Sequence, residues 1–85
     1  MEYYVAVFKS RTDAFTFSNS LKRNGIPSAI IPTPQEAGRT CGLSVKILPA
    51  DIDFAKLLLS RIRAVSFVGW LLFTIRNGEK IVVRG

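Results

Sequence analysis

The segment from residue 32 to residue 42 constrains the fold most, because it shows neither a helical nor a strand period and lies between two strand-like runs, residues 28–31 and 43–48. A structureless connection of this length is unusual in a small domain, and such loops are typically functional or disordered. The segment contains two of the four prolines and the only cysteine, Cys41, which Gly42 follows directly. The sequence therefore predicts that the rest of the chain is a scaffold for this loop.

Length and hydrophobic content indicate one folded domain over residues 1–85, since a chain of 85 residues has no room for a second core. A hydrophobic fraction of 48% argues against disorder. The longest apolar run, residues 64–75, is shorter than the roughly 20 residues of a membrane-spanning helix, so no membrane association is predicted. A single cysteine cannot form an internal disulfide, and no secretory signal precedes the first strand, which favours the cytoplasm.

The net charge of +6, from twelve Lys and Arg against six Asp and Glu, raises the hypothesis of a nucleic-acid partner. The basic residues are spread along the chain in runs no longer than two. Scattered basic residues usually form a solvated surface and become a binding patch only where the fold gathers them. Nucleic acid is therefore a possible but not a favoured partner.

The chain contains no histidine, which is the commonest general base and the commonest metal ligand. One thiol and six scattered carboxylates have no recognisable metal-ligand spacing, and the six glycines match no phosphate-binding fingerprint. The sequence predicts neither a metal nor a cofactor. Self-sufficient catalysis is not expected, which leaves a thiol that takes part in a partner's reaction.

Residues 3–8 are β-branched and aromatic and predict a first strand. Ser10 and Asp13 have the spacing of a capping box, and Asn24-Gly25 can end the helix that follows. The apolar stripe of this helix consists of Ala14, Phe17 and Leu21.

In the second half, residues 43–48 alternate as a strand with one buried face, and Asp51 is the predicted cap of a second helix. Residues 66–75 are apolar on both faces, as in a doubly covered strand. Asn77-Gly78 predicts a two-residue hairpin that returns through residues 81–83 as an edge strand. The predicted apolar face of the second helix consists of Phe54, Ala55, Leu57, Leu58, Leu59 and Ile62. The order predicts an α+β fold, a ferredoxin-like two-layer sandwich of β-α-β-β-α-β with an added C-terminal hairpin strand.

With this order in hand, the sequence resembles a family of small bacterial and archaeal selenium/sulfur carrier-like proteins over residues 3–62. The most specific element is Pro-x-Pro, then a short loop, then Cys-Gly at the start of a strand. The loop residues before Cys41 are less rich in serine than is usual in the family, and the chain continues past the fourth strand to Gly85. The residues that carry the resemblance are Tyr4, Val5, Phe8, Ser10, Ala14, Leu21, Lys22, Gly25, Ile26, Pro32, Pro34, Cys41, Gly42 and Leu43.

The resemblance implies a carrier rather than an enzyme, with a persulfide or its selenium equivalent held on Cys41 between donor and acceptor proteins. Arg39, two residues away, is a candidate to stabilise the thiolate. Gly42 would let a partner approach closely, and Pro32 and Pro34 would stiffen the entry to the loop.

Simpler interpretations stay open at each of these positions. A lone cysteine is often a small buried hydrophobe, Gly42 can serve a bulge or turn, and Arg39 can be a solvated charge. The aromatic residues at 67, 70 and 73 fit core packing better than base stacking. The remaining alternatives are a basic nucleic-acid-binding domain and an interaction module that forms a homodimer through the exposed edge of the last hairpin.

Overall fold

The computed structural model describes residues 1–38 and 42–85. These residues form two helices and one five-stranded antiparallel sheet, in which the strand order is β2-β3-β1-β4-β5. The α+β class is therefore confirmed. The ferredoxin-like description stays a prediction, and the sheet differs from it by a fifth strand. The elements are β1 (Glu2–Phe8), α1 (Arg11–Arg23), β2 (Ser28–Pro32), β3 (Leu43–Ile47), α2 (Ile52–Arg61), β4 (Phe67–Arg76) and β5 (Glu79–Arg84). Within the described ranges, no helix is long and apolar enough to cross a membrane.

One face of the sheet, here called the helix face, packs against α1 and α2. Phe17 of α1 lies at its centre, with its ring centroid 5.7 Å from that of Phe8 and 6.1 Å from that of Trp70. Phe67 also contacts Trp70, at 5.8 Å, so the predicted core role of these two aromatic residues is confirmed. The buried residues of this core are Ala6, Phe8, Ala14, Phe17, Leu21, Ile26, Val45, Ile47, Ala55 and Leu58.

The opposite face, here called the loop face, carries a second and smaller apolar cluster of Val5, Val7, Leu71 and Phe73. A bulge at the start of β4 places Phe67 on the same face as Trp70. Val7 pairs with Gly69 but Phe8 pairs with Phe67, so one extra residue shifts the alternation. Both faces of β4 are apolar because one packs in the helix-face core and the other belongs to the loop-face cluster.

The start of α1 differs from the predicted capping box in one respect. The Ser10 hydroxyl accepts a hydrogen bond from the Asp13 N–H at 3.4 Å, as expected. The Asp13 carboxylate, however, does not return to Ser10 but accepts two hydrogen bonds from Ser66, from its hydroxyl at 2.6 Å and from its N–H at 3.1 Å. The Ser10 N–H instead donates to the Ser66 hydroxyl at 3.0 Å. Ser66 thus completes the cap from the segment before β4.

We expect Ser66→Ala to lower the free energy of unfolding by about 1–2 kcal/mol, since it removes one charge-assisted hydrogen bond and leaves the Ser10 N–H without its partner. Urea denaturation measures the loss. Ser60→Ala is the matched control, because the Ser60 hydroxyl is exposed and donates only to a carbonyl of its own helix, that of Leu57. A loss no larger than that of the control would contradict this role for Ser66.

The second helix begins differently from its prediction. A 3₁₀ turn, Pro49–Asp51, leads into α2, and the Asp51 side chain makes no capping hydrogen bond. The predicted apolar face is also too wide, because Phe54 and Leu57 are 43% and 47% exposed. A sequence window cannot tell how much of a helix its neighbours cover. The C-terminal hairpin agrees with its signal: Asn77 and Gly78 have φ angles of 51° and 80°, and β5 pairs with β4 at the sheet edge.

Candidate functional site

The connection between β2 and β3 is not structureless in its first half, which corrects the expectation from the sequence. Residues 35–37 form a 3₁₀ helix, closed by hydrogen bonds from the Ala37 N–H to the Pro34 carbonyl at 3.1 Å and from the Gly38 N–H to the Gln35 carbonyl at 2.9 Å. A single 3₁₀ turn is too short to show a period. Gly38 ends it with a φ of 90°, a conformation that favours glycine.

This turn lies over the loop face of the sheet. Ala37 packs against the apolar cluster of that face. The Glu36 carboxylate reaches Lys80 on β5, with 2.7 Å between its Oε2 and the Lys80 Nζ. The turn therefore connects β2, at one edge of the sheet, to β5, at the other edge. The loop face, which the helices leave open, is covered in part by the segment that leads towards Cys41.

Thr33 joins the two ends of this connection. Its hydroxyl donates to the Gly42 carbonyl at 2.8 Å and lies 3.1 Å from the Ser44 hydroxyl. Because the Thr33 proton is used on the carbonyl, Ser44 is the donor in the second bond. Ser44 is fully buried, so the pair satisfies a hydroxyl that would otherwise be costly to bury. Side chains thus extend the β2–β3 pairing beyond its last backbone pair, Pro32 with Leu43.

Gly42, the residue after Cys41 in the chain, is buried against the end of β1. A Cβ atom at this position would lie 1.9 Å from the Phe8 carbonyl oxygen and 2.8 Å from that of Lys9. No side chain fits there, and the obstacle is backbone rather than a mobile side chain. The structure therefore gives Gly42 a packing role at the point where the loop returns to the sheet.

The ion pair between Glu36 and Lys80 shifts the pKa of each group in the direction that keeps that group charged. The hydrogen bond from Lys80, followed by a backbone hydrogen bond, lowers the pKa of the Glu36 carboxyl. The same side-chain hydrogen bond, and then the charge of Glu36, raise the pKa of Lys80. Both groups are solvent-accessible, so the pair positions the turn more than it stabilises the fold.

The contact between this turn and β5 is expected to weaken in acid. Because the Glu36 pKa is lowered by folding, the contribution of the pair is present above the pKa of the unfolded glutamate and is lost as the pH falls through the folded pKa. On the alkaline side it is lost as the pH rises through the raised pKa of Lys80.

A carbon-detected NMR titration of the Glu36 carboxyl measures the acidic midpoint. Lys80→Met should move this midpoint upward, whereas Lys22→Met, on an exposed lysine of α1, should not. Equal midpoints in Lys80→Met and the unaltered protein would contradict the ion pair.

Two cavities flank the turn on the loop face. One, of about 410 Å³, lies towards β4 and β5 and includes Val7, Ala37, Leu71 and Arg84 in its lining. The other, of about 550 Å³, lies towards β1 and β2 and includes Tyr3, Thr33, Pro34 and Lys80. Of the described carboxylates, only Glu36 lines either cavity, and it lines both. The turn thus separates two open cavities whose linings are largely apolar.

Of the five site residues that the sequence singles out, the structure describes three. Cys41 and Arg39 lie outside the described residues. Pro32 is the last residue of β2, and Pro34 precedes the 3₁₀ turn in an extended conformation with a φ of −65°. Gly42 is the described residue next to the thiol. Sequence reasoning missed three residues of this region: Thr33, Glu36 and Lys80.

The fold gathers part of the positive charge on the loop face. Lys46, Lys80 and Arg84 share that face, because they pair in register with Val5, Ile75 and Leu71.

No aromatic platform for bases accompanies this charge among the described residues of the loop face. Phe73 is 2% exposed and its ring stacks on Tyr3 at 5.0 Å. The Lys46 amine covers the Tyr3 ring at 4.4 Å. A nucleic-acid partner therefore gains no support from base stacking.

In the described part of the chain, no group of three or more potential ligands could hold a metal ion.

Comparison with known proteins identifies the family of the chain. No curated protein and no solved structure gives a significant match. One family model matches residues 3–64, a span that contains Cys41 and every element from β1 to α2, and its description reads "Putative Se/S carrier protein-like". Since the match covers well over half of the sequence, the chain belongs to this selenium/sulfur carrier-like family.

Proposed function

We propose that this protein is a sulfur or selenium carrier that holds a persulfide, or its selenium equivalent, on Cys41 and passes it between partner enzymes. The observation that carries the proposal is the family match over residues 3–64, which includes the only cysteine of the chain. The absence of a second cysteine supports it, because a neighbouring thiol would discharge the cargo as a disulfide.

The proposed transfer exchanges one sulfur–sulfur bond for another. The Cys41 thiolate attacks the outer sulfur of a donor persulfide, the S–S bond of the donor breaks, and the donor leaves as a thiolate. An acceptor thiolate then attacks the outer sulfur on Cys41, takes it as its own persulfide, and releases the Cys41 thiolate. Neither step needs an external oxidant or a cofactor, and each requires an ionised and reachable thiol.

The described residues around Cys41 support a positioned loop. Thr33 bonds the Gly42 carbonyl, and Glu36 holds the preceding turn on the sheet. A segment anchored on both sides of the thiol loses less conformational entropy when a partner docks. In the proposal, Arg39 stabilises the thiolate, and Pro32 and Pro34 stiffen the entry to the loop. Gly42, packed against the end of β1, brings the chain back to the sheet directly after the thiol.

Intact-mass spectrometry after incubation with a cysteine desulfurase and free cysteine tests the proposal. We expect a gain of one sulfur atom that a reductant reverses. No gain from several donors, although an alkylating reagent reaches Cys41 in the folded protein, would contradict it. The alternatives, a nucleic-acid-binding or dimerising module with a structural cysteine, would then be tested by oligonucleotide binding and by sedimentation.

A further inference from the structure

The outer edge of β5 is an unpaired strand edge among the described residues. In the sheet order β2-β3-β1-β4-β5, β5 has a partner only on its β4 side. It is six residues long and almost wholly exposed. Edges of this kind are templates for pairing with another chain unless charges, bulges or covering segments protect them.

The backbone groups that point outward follow from the hydrogen-bond ladder. The Gly85 N–H donates to the Trp70 carbonyl at 3.0 Å. In an antiparallel pair, hydrogen-bonded and non-hydrogen-bonded positions alternate. The N–H groups of residues 81 and 83 therefore point towards β4, and those of Lys80, Val82 and Arg84 point away from the sheet.

The side chains of β5 divide by chemistry between the two faces. Lys80 and Arg84 lie on the loop face, two cations separated by Val82, and Lys80 already pairs with Glu36. Ile81 and Val83 lie on the opposite face and are 51% and 48% exposed, although they are aliphatic. A strand added beside β5 would meet positive charge on one face and an uncovered apolar surface on the other.

We propose that the outer edge of β5 binds an extended segment of a partner protein in which carboxylates alternate with aliphatic residues. One carboxylate of such a strand would face Arg84, and another would share the exposed amine of Lys80 with Glu36. Its aliphatic residues would cover Ile81 and Val83, and its backbone would pair with the three outward N–H groups. A single-stranded nucleic acid satisfies only the charges, because the described residues of the loop face include no exposed aromatic ring for its bases.

A second copy of the chain is a poorer occupant than an acidic segment. The antiparallel register that sets Ile81 of one copy opposite Val83 of the other also sets Lys80 opposite Arg84. Like charges directly opposite each other destabilise a strand pair. Shifting the register by two residues in either direction relieves this repulsion but sets Arg84 opposite Gly78 or Val82, not opposite a carboxylate such as an acidic segment supplies.

The edge can be tested apart from the thiol, although Lys80 also pairs with Glu36 of the turn that leads towards Cys41. The family match ends at residue 64, before β4 and β5 begin, so this surface belongs to the part of the chain outside it. Binding should therefore survive Cys41→Ser, and a failure of the edge proposal would leave the carrier proposal intact.

The test is an NMR titration of the full-length protein with a blocked seven-residue peptide in which glutamate alternates with valine. We expect shifts, and slowed hydrogen exchange, at the amides of Lys80, Val82 and Arg84. A matched peptide with lysine in place of glutamate should not bind. Val82→Pro removes one outward N–H but no hydrogen bond to β4, so it should weaken binding about tenfold, which is the value of one good hydrogen bond. Val82→Ala, the control, keeps this N–H and should change the affinity little.

Three results would overturn the inference. The first is equal binding of both peptides, and the second is binding that Val82→Pro leaves unchanged while the Val82→Ala control stays folded. The third is a different occupant: a dimer in sedimentation that Val82→Pro abolishes, or an oligonucleotide that displaces the peptide and binds more tightly than it.

Discussion

Gly42→Ala is expected to lower the free energy of unfolding by more than about 3 kcal/mol, above the usual cost of overpacking, because the added methyl group has no room to relax. Its Cβ would lie 1.9 Å from the Phe8 carbonyl oxygen, and the neighbouring obstacle, at 2.8 Å, is also a carbonyl oxygen. To make room, the start of β3 must move away from the end of β1. Stability of about 0.05–0.15 kcal/mol per residue gives about 4–13 kcal/mol for 85 residues, so a loss of about 3 kcal/mol removes roughly a quarter to three quarters of it.

Urea denaturation followed by circular dichroism measures this loss, and Gly69→Ala provides the matched control. Gly69 lies within β4, whereas Gly42 directly precedes β3, and a Cβ at Gly69 would meet nothing within 4 Å. It should be neutral or stabilising by about 0.5–1 kcal/mol, since alanine has less conformational entropy to lose than glycine. If Gly42→Ala costs no more than Gly69→Ala, the close packing of Gly42 against β1 is wrong.

Cys41→Ser is expected to abolish sulfur uptake completely. The nucleophile in persulfide transfer is a thiolate, and a serine hydroxyl does not ionise at neutral pH, so no residual slow reaction is expected. With no second cysteine in the chain, no other side chain can replace it. Uptake is measured with radioactive sulfur from labelled cysteine, supplied through a desulfurase, which can detect one loaded molecule in about a thousand. A thousandfold lower rate would correspond to about 4 kcal/mol of lost transition-state stabilisation.

The interpretation depends on a folded variant. Urea denaturation of Cys41→Ser, and amide spectra that match those of the unaltered protein outside the loop, serve as the control. If folded Cys41→Ser takes up as much label as the unaltered protein, the uptake does not occur through the thiol, and the carrier chemistry is contradicted.

Local signals predicted much of the fold. The Ser10 cap, the end of α1 at Asn24 and Gly25, and the Asn77-Gly78 hairpin all depend on residues that are neighbours in the chain, and each is present. Their physical basis is backbone geometry and short-range hydrogen bonding, which a sequence window contains. The alternation of residues 43–48 likewise predicted a strand with one buried face, and Val45 and Ile47 on that face are 0% and 1% exposed. Ser44, on the predicted polar face, is buried as well.

The contacts that sequence reasoning missed join distant parts of the chain. Ser66 completes a helix cap 53 residues away, and Glu36 meets Lys80 across the loop face. Neither residue type nor spacing identifies such pairs, because the sheet order brings them together. The packing of Gly42 against Phe8 is of the same kind: the glycine was visible in the sequence, but its neighbour was not.

The candidate site was predicted in part. The Pro-Thr-Pro segment and Gly42 lie where the loop leaves and rejoins the sheet, as expected of its two ends. Thr33 was missed, although its place between two prolines, with a hydroxyl next to a strand end, is a signal that a search for loop-closing hydrogen bonds would use. Cys41 and Arg39 lie outside the described residues, so their proposed roles depend on the family and on thiol chemistry.

The most direct test of the carrier proposal compares the rate at which the thiol gains sulfur at its native position with the rate at an exposed position elsewhere. The comparison protein combines Cys41→Ser with Ser60→Cys, which moves the single thiol to an exposed site on α2. Intact mass over time, with the same desulfurase and the same cysteine, gives both rates. A carrier whose fold presents Cys41 to its donor should load about tenfold faster or more, since access and thiolate character control the exchange. Equal rates, or faster loading of the relocated thiol, would contradict the carrier proposal.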